Sequence, residues 1–170
     1  MAGRGGLGRP RRAGTAAGGD RGAAWPVGHD PVSAPQAPLR FAGYAAIFDK
    51  RDSGGDVIRQ GAFARSLTQR AERGERLPLY WQHRPDRRIG WIDAAIEDHR
   101  GLRVTGTIDA SAGLPARALV TRAVNGLSFG YRVTAGHATP DGRELHAVDI
   151  LEVSLVSRPM QPSARVHLAG

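Results

Sequence analysis

A hydroxyl, an imidazole and a carboxylate lie on three separate stretches of this chain. The hydroxyl belongs to Ser128, which stands between two glycines in the run Gly126-Leu127-Ser128-Phe129-Gly130. The imidazole belongs to His83 at the end of one apolar run, and the carboxylate to Glu152 inside a later one. Acyl transfer needs these three groups as nucleophile, general base and the group that orients the base. The residue types therefore indicate a serine hydrolase site in the chain order His, Ser, Glu.

The residues alone leave other assignments open. Ser128 also fits a small residue in a crowded strand, and Glu152 also fits a partner for one of the many arginines. His146 is an alternative base, Asp149 an alternative third member, and Ser154 an alternative nucleophile without flanking glycines.

The two glycines beside Ser128 lead to an expectation about the site. Gly126 and Gly130 remove side chains around the hydroxyl, so we expect a substrate backbone to approach there. The same run resembles the Gly-x-Ser-x-Gly elbow of α/β-hydrolases. That elbow needs a strand before the serine and a helix after it. Here the predicted order is helix, serine, strand, which excludes that class.

Composition removes several other classes of protein. The 170 residues include no cysteine, which excludes a disulfide framework, a thiolate zinc site and a cysteine nucleophile, and fits a reducing cytosolic setting. No apolar run approaches the length of a membrane span, and no apolar stretch follows the first arginines, so neither a membrane segment nor a secretory signal is expected.

The formal net charge of +8 raises the question of nucleic acid. Lys50 is the only lysine, so 23 of the 24 basic residues are arginine, and acidic residues are interspersed among them. This pattern favours coding bias and a solvated surface, and we expect no nucleic-acid partner. An arginine-rich barrel that binds nucleic acid stays as a rival hypothesis, tested by the salt dependence of binding.

The chain divides into an arm and a domain. Residues 1–38 hold nine glycines, five prolines and five arginines, which predicts a disordered arm, a propeptide or a misassigned start codon. Residues 39–170 form the predicted domain. Its strands are predicted at 39–48, 56–58, 77–82, 89–97, 102–108, 127–134 and 144–157, its helices at 61–73 and 111–125, and its turns or loops at 83–86, 98–101 and 136–143.

This order of elements predicts a mainly β fold with flanking helices, of the α+β class. Six or seven strands in antiparallel succession favour a closed or nearly closed β-barrel with helices packed outside it. In the second helix we expect Ser111 as the N-cap and Leu114, Ala118, Leu119 and Val120 on the apolar side.

From about Phe41 to Leu168 the chain resembles the prohead (procapsid) maturation proteases of tailed phages, including those encoded by phage-derived gene transfer agents. The motifs that carry the resemblance are Gly43-Tyr44-Ala45-x-x-Phe48, Asp56-x-Ile58-x-x-Gly61-Ala62-Phe63, Leu79-x-x-Gln82-His83, Ile89-Gly90, Gly101-Leu102-x-Val104-x-Gly106, Gly126-Leu127-Ser128-x-Gly130-Tyr131 and Leu151-Glu152-Val153-Ser154-Leu155-Val156-x-x-Pro159. Their order and spacing make coincidence an inadequate explanation.

The resemblance implies a fold, a site and an activity. The fold is similar to that of the herpesvirus assembly proteases, a β-barrel surrounded by helices. His83 is then the base, Ser128 the nucleophile and Glu152 the third member of a serine endopeptidase. No metal or organic cofactor is expected, and the Arg158 region is a candidate for the oxyanion-stabilising groups.

The resemblance also implies substrates and partners. The expected substrates are the scaffolding segment of the major capsid protein and the protease itself. The expected partners are the portal and other procapsid components, with self-association, inside the procapsid in the host bacterial cytoplasm. A second rival keeps this fold and makes the chain a non-catalytic scaffold for capsid assembly.

Overall fold

The computed structural model describes residue 35 and residues 37–169. The predicted disordered arm at 1–38 therefore lies almost entirely outside the described residues. Eight strands and two α-helices make up the described part. The strands are β1 Leu39–Ile47, β2 Asp56–Ile58, β3 Pro78–Trp81, β4 Arg84–Glu97, β5 Gly101–Ile108, β6 Gly126–Thr139, β7 Gly142–Val156 and β8 Val166–Leu168. The helices are α1 Ala64–Arg73 and α2 Leu114–Val120, with a short 3-10 helix at Ala110–Ala112.

All eight strands belong to one sheet that curls back on itself. Its order is β2-β7-β3-β4-β5-β1-β8, and β6 pairs with the other edge of β7. The residues before β8 reach the start of β6, where the Leu127 N–H donates to Ala164 O at 3.1 Å and the Val166 N–H donates to Asn125 O at 3.0 Å. These bonds connect β8 and the residues before it to the start of β6, which pairs with β7, so the sheet nearly closes. The mainly β fold with a nearly closed barrel is confirmed, but the structure has eight strands instead of six or seven, and β7 pairs in parallel with β2 and β3.

The core forms where apolar side chains from every strand point to the inside of the curl. In β5, Leu102, Val104 and Ile108 are buried, as the two-residue alternation predicts. Phe63, the residue just before α1, adds a ring that packs against Phe129 with centroids 5.1 Å apart. Burial of these side chains supplies most of the stabilisation that offsets the ordering of the strands.

Strand β7 positions the site because it has partners along its whole length. Its first residues, 143–145, pair in parallel with β2, and its last residues, 153–155, pair in parallel with β3. Its other edge pairs with β6 in an antiparallel ribbon. β3 and β6 therefore lie on opposite edges of the same segment of β7.

The predicted loop at 136–143 was wrong. Strands β6 and β7 continue to a two-residue turn at 140–141, and Thr139 pairs with Gly142. This end of the ribbon is exposed and carries polar side chains on both faces, so its sequence shows no apolar alternation. Cross-strand backbone hydrogen bonds form regardless of that pattern.

The second helix was predicted too long. It begins at Leu114 after Gly113 and ends at Val120, and Ser111 lies in the separate 3-10 helix without capping α2. Pro115 suits the first turn of α2, where no partner for its missing N–H is needed. Leu119 is buried as predicted, whereas Leu114 and Val120 are exposed.

Two further strands differ from the sequence prediction. Strand β4 begins at Arg84 and strand β8 was not predicted at all. β8 is only three residues long, so it offers too short an alternation to be recognised.

No helix of the described residues combines the length and the apolar character that a membrane crossing requires.

Candidate active site

A tight turn between β3 and β4 places His83. Trp81 pairs with Arg84, so Gln82 and His83 are the two central residues, and their φ angles are +54° and +57°. Such a turn favours Asn-Gly, and each larger residue held there costs about 1–2 kcal/mol. The predicted turn at 83–86 was therefore placed too far along the chain.

Strand β7 holds this turn against its preferred conformation. The Gln82 N–H donates to Leu155 O at 3.0 Å, and the His83 N–H donates to the Ser154 hydroxyl at 3.2 Å. A strained backbone persists only where surrounding contacts over-determine it, and such positions cluster at functional sites. Two successive bonds to β7 provide that restraint and fix the imidazole beside the strand.

His83 and Glu152 form the central contact of the site. His83 Nδ1 lies 2.7 Å from Glu152 Oε1, with side-chain exposures of 43% for the histidine and 11% for the glutamate. A carboxylate can only accept, so the proton of the neutral imidazole is assigned to Nδ1. This tautomer leaves Nε2 free to accept a proton from a nucleophile, which is the arrangement a general base needs.

Ser154 holds the second oxygen of the same carboxylate. Its hydroxyl donates to Glu152 Oε2 at 2.6 Å and accepts the His83 N–H, and the residue is fully buried. Both hydrogen-bonding roles of the hydroxyl are therefore occupied within the protein. The sequence analysis considered Ser154 only as an alternative nucleophile, and the Glu-x-Ser spacing on one strand face was the signal for its actual contact.

Ser128 lies on the neighbouring strand, on the same face as these residues. Across the β6–β7 ribbon it stands directly opposite Ser154, and Gly130 stands directly opposite Glu152. Ser128 is largely buried, and among residues 37–169 its hydroxyl has no hydrogen-bond partner. The structure thus joins His83 to Glu152 by a hydrogen bond and sets Ser128 beside them without a bond to either.

The glycines around Ser128 serve the protein's own groups. A Cβ atom on Gly130 would lie 2.7 Å from Glu152 Oε1, so the carboxylate occupies the space that the glycine leaves. A Cβ on Gly126 would lie 2.7 Å from Pro159 Cδ and 2.7 Å from Val156 O. The expectation that a substrate backbone approaches at these glycines was therefore wrong.

The alternative base and third member lie farther along β7. His146 is six residues before Glu152, a rise of about 20 Å along a strand, and its Nε2 lies 3.8 Å from Glu144. Asp149 stands opposite Arg132 in the ribbon. Neither residue shares a hydrogen bond with His83 among the described residues.

A buried acid links the site to the rest of the ribbon. Asp56 accepts two hydrogen bonds from Arg143 at 2.8 and 2.6 Å and one from the Tyr131 hydroxyl at 2.5 Å. The bonds from Arg143 hold the pKa of Asp56 below its usual value. Burial, followed by the bond to Asp56, raises the pKa of Tyr131. Tyr131 directly follows Gly130, so this network anchors β6 next to the site.

Comparison with known proteins agrees with the motifs. A profile of the caudovirus prohead serine protease family matches residues 31–169. The prohead protease of Enterobacteria phage HK97 is 31% identical, and the alignment covers 74% of this chain and 58% of that protein. The chain thus spans less than two thirds of the length of this relative.

Two solved herpesvirus proteases share the fold. The protease of KSHV, in complex with a hexapeptide phosphonate inhibitor, has a TM-score of 0.55 at 17% identity, covering 78% of this chain and 65% of that one. The protease of varicella-zoster virus has a TM-score of 0.50 at 19% identity, covering 77% and 64%. These likenesses bear on the fold, and the profile and the phage relative on the family. The chain belongs to the caudovirus prohead serine protease family.

Proposed function

We propose that this chain is a serine endopeptidase in which Ser128 is the nucleophile, His83 the general base and Glu152 the residue that orients the base. The observation that carries the proposal is the 2.7 Å contact between His83 Nδ1 and the nearly buried Glu152 carboxylate. A second support is the hydroxyl of Ser128, which no described residue engages and which lies on the adjacent strand on the same face.

The proposed reaction uses these three side chains in turn. Ser128 Oγ bonds to the carbonyl carbon of the scissile peptide while His83 Nε2 takes the hydroxyl proton, and Glu152 stabilises the imidazolium. The tetrahedral intermediate collapses, the C–N bond breaks, and Nε2 passes the proton to the leaving amine. Water then attacks the carbonyl carbon of the acyl-enzyme while Nε2 takes a proton from the water. The ester bond breaks, Nε2 returns the proton to Ser128 Oγ, and the new carboxyl group is released. Oxyanion donors near Arg158 remain part of the proposal.

The proposed substrates are the scaffolding segment of the major capsid protein and the protease itself. Membership of a prohead protease family supports this class of substrate. In this proposal the enzyme acts inside the procapsid, in the host bacterial cytoplasm, with portal and capsid proteins as partners and with self-association. Confinement with the substrate raises its effective concentration, so a slow enzyme suffices.

The surface charges favour this proposal over the nucleic-acid barrel. Carboxylates engage many of the arginines in pairs, including Arg59 with Glu144 at 2.6 Å, Arg76 with Asp93 at 3.1 Å and Arg84 with Asp86 at 2.8 Å. Paired guanidinium groups offer fewer free charges to phosphates.

Covalent labelling tests the nucleophile without a known substrate. A fluorophosphonate should modify one serine, and peptide mass spectrometry should locate the adduct on Ser128. Labelling should disappear in Ser128→Ala and fall sharply in His83→Ala. Ser111→Ala and His99→Ala are matched controls, since both residues are exposed and distant from the site in sequence. An adduct on Ser154 would reassign the nucleophile.

Co-expression tests the substrate. The chain is expressed with the capsid protein encoded beside it, and the capsid protein is analysed by mass spectrometry. Wild type, Ser111→Ala and His99→Ala should give a truncated capsid protein, whereas Ser128→Ala and His83→Ala should leave it at full length. Particles that assemble with an uncleaved capsid protein in the presence of wild type would support the scaffold hypothesis.

A further inference from the structure

Two imidazoles and a carboxylate meet at the exposed end of the β6–β7 ribbon. His137 stands directly opposite Glu144, and His146 is an extra residue in a β-bulge, since Ala135 pairs with Ala147 and Gly136 with Leu145. The bulge turns His146 toward His137, and their rings stack with centroids 5.2 Å apart and planes 18° apart. One nitrogen from each ring and one oxygen of Glu144 all lie within 4.8 Å of one another.

We propose that His137, Glu144 and His146 form a binding site for a divalent transition-metal ion, with Zn²⁺ the best match. Two imidazole nitrogens and one carboxylate oxygen are a donor set that zinc favours, and magnesium and calcium prefer oxygen ligands alone. Three protein ligands leave a fourth tetrahedral position for water. The site is separate from His83 and Glu152, and the proposal does not depend on the proposed peptidase reaction.

The distances fit a site that closes around the ion. Glu144 Oε2 lies 3.8 Å from the Nε2 atom of each histidine. Bonds of about 2.0–2.1 Å in tetrahedral geometry place neighbouring ligand atoms about 3.3 Å apart. Each nitrogen therefore needs to approach the oxygen by roughly half an ångström, and the two nitrogens, which lie within 4.8 Å of each other, need to approach by up to about 1.5 Å. The side chains of His137 and His146 are 59% and 47% exposed, so rotation about their own bonds can supply this movement.

The surrounding charges also suit a cation. Arg59 donates to both oxygens of Glu144, at 2.6 and 3.1 Å, and to Asp49 at 2.7 Å. Two carboxylates and one guanidinium leave a local charge of −1 before the ion arrives. The guanidinium also fixes the plane of the Glu144 carboxylate, as an outer partner of a metal ligand does. A second lone pair on Oε2 remains for the metal.

Calorimetric titration of the full chain, freed of metal, with Zn²⁺ at pH 7.5 tests the site. We expect one ion per chain, and about tenfold or greater weakening in each of His137→Ala, His146→Ala and Glu144→Gln. His99→Ala should bind as wild type does. Co²⁺ should give the visible absorption of a tetrahedral complex in wild type and lose it in His137→Ala. Binding should be weaker at pH 5.5 than at pH 7.5, because protons compete with the metal for its ligand atoms.

Two controls keep the result specific. Zn²⁺ should raise the unfolding temperature of wild type and of His83→Ala, but not that of the His137→Ala/His146→Ala double variant. The metal-free double variant should unfold at a temperature near that of wild type, because both rings are exposed. Unchanged binding in the double variant, loss of binding in His83→Ala alone, or a stoichiometry far from one would overturn the proposal.

Discussion

Each half of the β6–β7 ribbon contains a glutamate that faces an imidazole, and the surroundings of the two glutamates differ. The near half is Gly126–Gly130 with Glu152–Val156, and the far half is Arg132–Thr139 with Gly142–Asp149. In the near half Glu152 is almost buried and bonds to His83 at 2.7 Å. In the far half Glu144 faces two histidines at 3.8 Å while Arg59 bonds to both of its oxygens.

This contrast separates two uses of a carboxylate. Arg59 bonds to each oxygen of Glu144, and one lone pair on Oε2 faces the two histidines. Glu152 has no arginine partner among the described residues, and Ser154 takes its second oxygen. His83 is thus the cation that Glu152 can stabilise. The far half leaves its imidazoles free for another ligand.

Replacement of Glu152 should have the largest effect. Glu152→Gln keeps the size of the side chain and removes the charge that selects the His83 tautomer, so we expect peptide cleavage or fluorophosphonate labelling to slow by about 10³–10⁴-fold. Asp149→Asn in the far half should cleave at the wild-type rate. Initial rates on a peptide from the capsid cleavage site measure both, and the opposite ranking would make Asp149 the third member.

A methyl group at Gly130 should give the next largest effect. Gly130→Ala places a Cβ 2.7 Å from Glu152 Oε1 and 3.1 Å from its Cγ, so the carboxylate must move. A shift of a catalytic group by about 1 Å lowers the rate of peptide cleavage about 10²-fold.

A core variant separates this effect from general destabilisation. Val148→Ala removes buried methyl groups from the far half and should lower the free energy of unfolding by about 1–3 kcal/mol. The rate per folded molecule should stay unchanged in Val148→Ala and fall in Gly130→Ala. Equal cleavage rates per folded molecule in Gly130→Ala and Val148→Ala would contradict the role of Gly130.

The acid that links the halves should control stability at low pH. Asp56 has a pKa held below its usual value by Arg143, so its contribution is complete above the unfolded value near 3.9 and is lost as pH falls through the folded pKa. Wild type should therefore lose stability between about pH 5 and pH 2.

Asp56→Asn isolates that contribution. At pH 7 the variant should lose about 1–3 kcal/mol of the free energy of unfolding, and its stability should vary less with pH. Urea unfolding at pH 7, 4 and 3 measures both curves. The dependence of stability on pH that remains in Asp56→Asn comes from other carboxylates with lowered pKa values, such as Glu144 beside Arg59. Parallel curves for wild type and variant would contradict the assignment.

Removal of the Ser154 hydroxyl should give the smallest effect. Ser154→Ala loses the bond to Glu152 Oε2 and the acceptor for the His83 N–H, which should lower kcat about tenfold, or about 1.4 kcal/mol. KM should stay near its wild-type value because the residue is buried away from substrate. Complete loss of activity in Ser154→Ala together with an active Ser128→Ala would reverse the roles of the two serines.

Local patterns in the sequence were enough for much of the fold. The alternation of Leu102, Val104 and Ile108 marks β5, and the turn before it is confirmed by Asp98, which accepts the N–H groups of Arg100 and Gly101. The spacing of Phe63 and Leu67 marks α1, and Gly74 ends it in the left-handed conformation. These features depend on residues that are close together in the chain, so they could be predicted from the sequence.

In the candidate site, too, some features could be predicted from the sequence and others required the folded chain. Motif order and spacing were sufficient to identify the family, and they made His83, Ser128 and Glu152 the candidate site residues, whose roles stay a prediction. The contact of His83 with Glu152 joins residues 69 apart in the chain, and the strained conformation at Gln82 and His83 exists only because β7 holds it.

The roles of Gly130 and Ser154 also required the folded chain. Gly130 matters because Glu152 lies across it, and Ser154 because its hydroxyl lies between the carboxylate and a backbone N–H. The exposed turn end of the ribbon, at 136–143, has no apolar alternation, so the pairing of His137 with Glu144 was not predicted. Side-chain identity specifies which chemistry is available. Which groups meet depends on strand register, and register follows from the packing of the whole sheet.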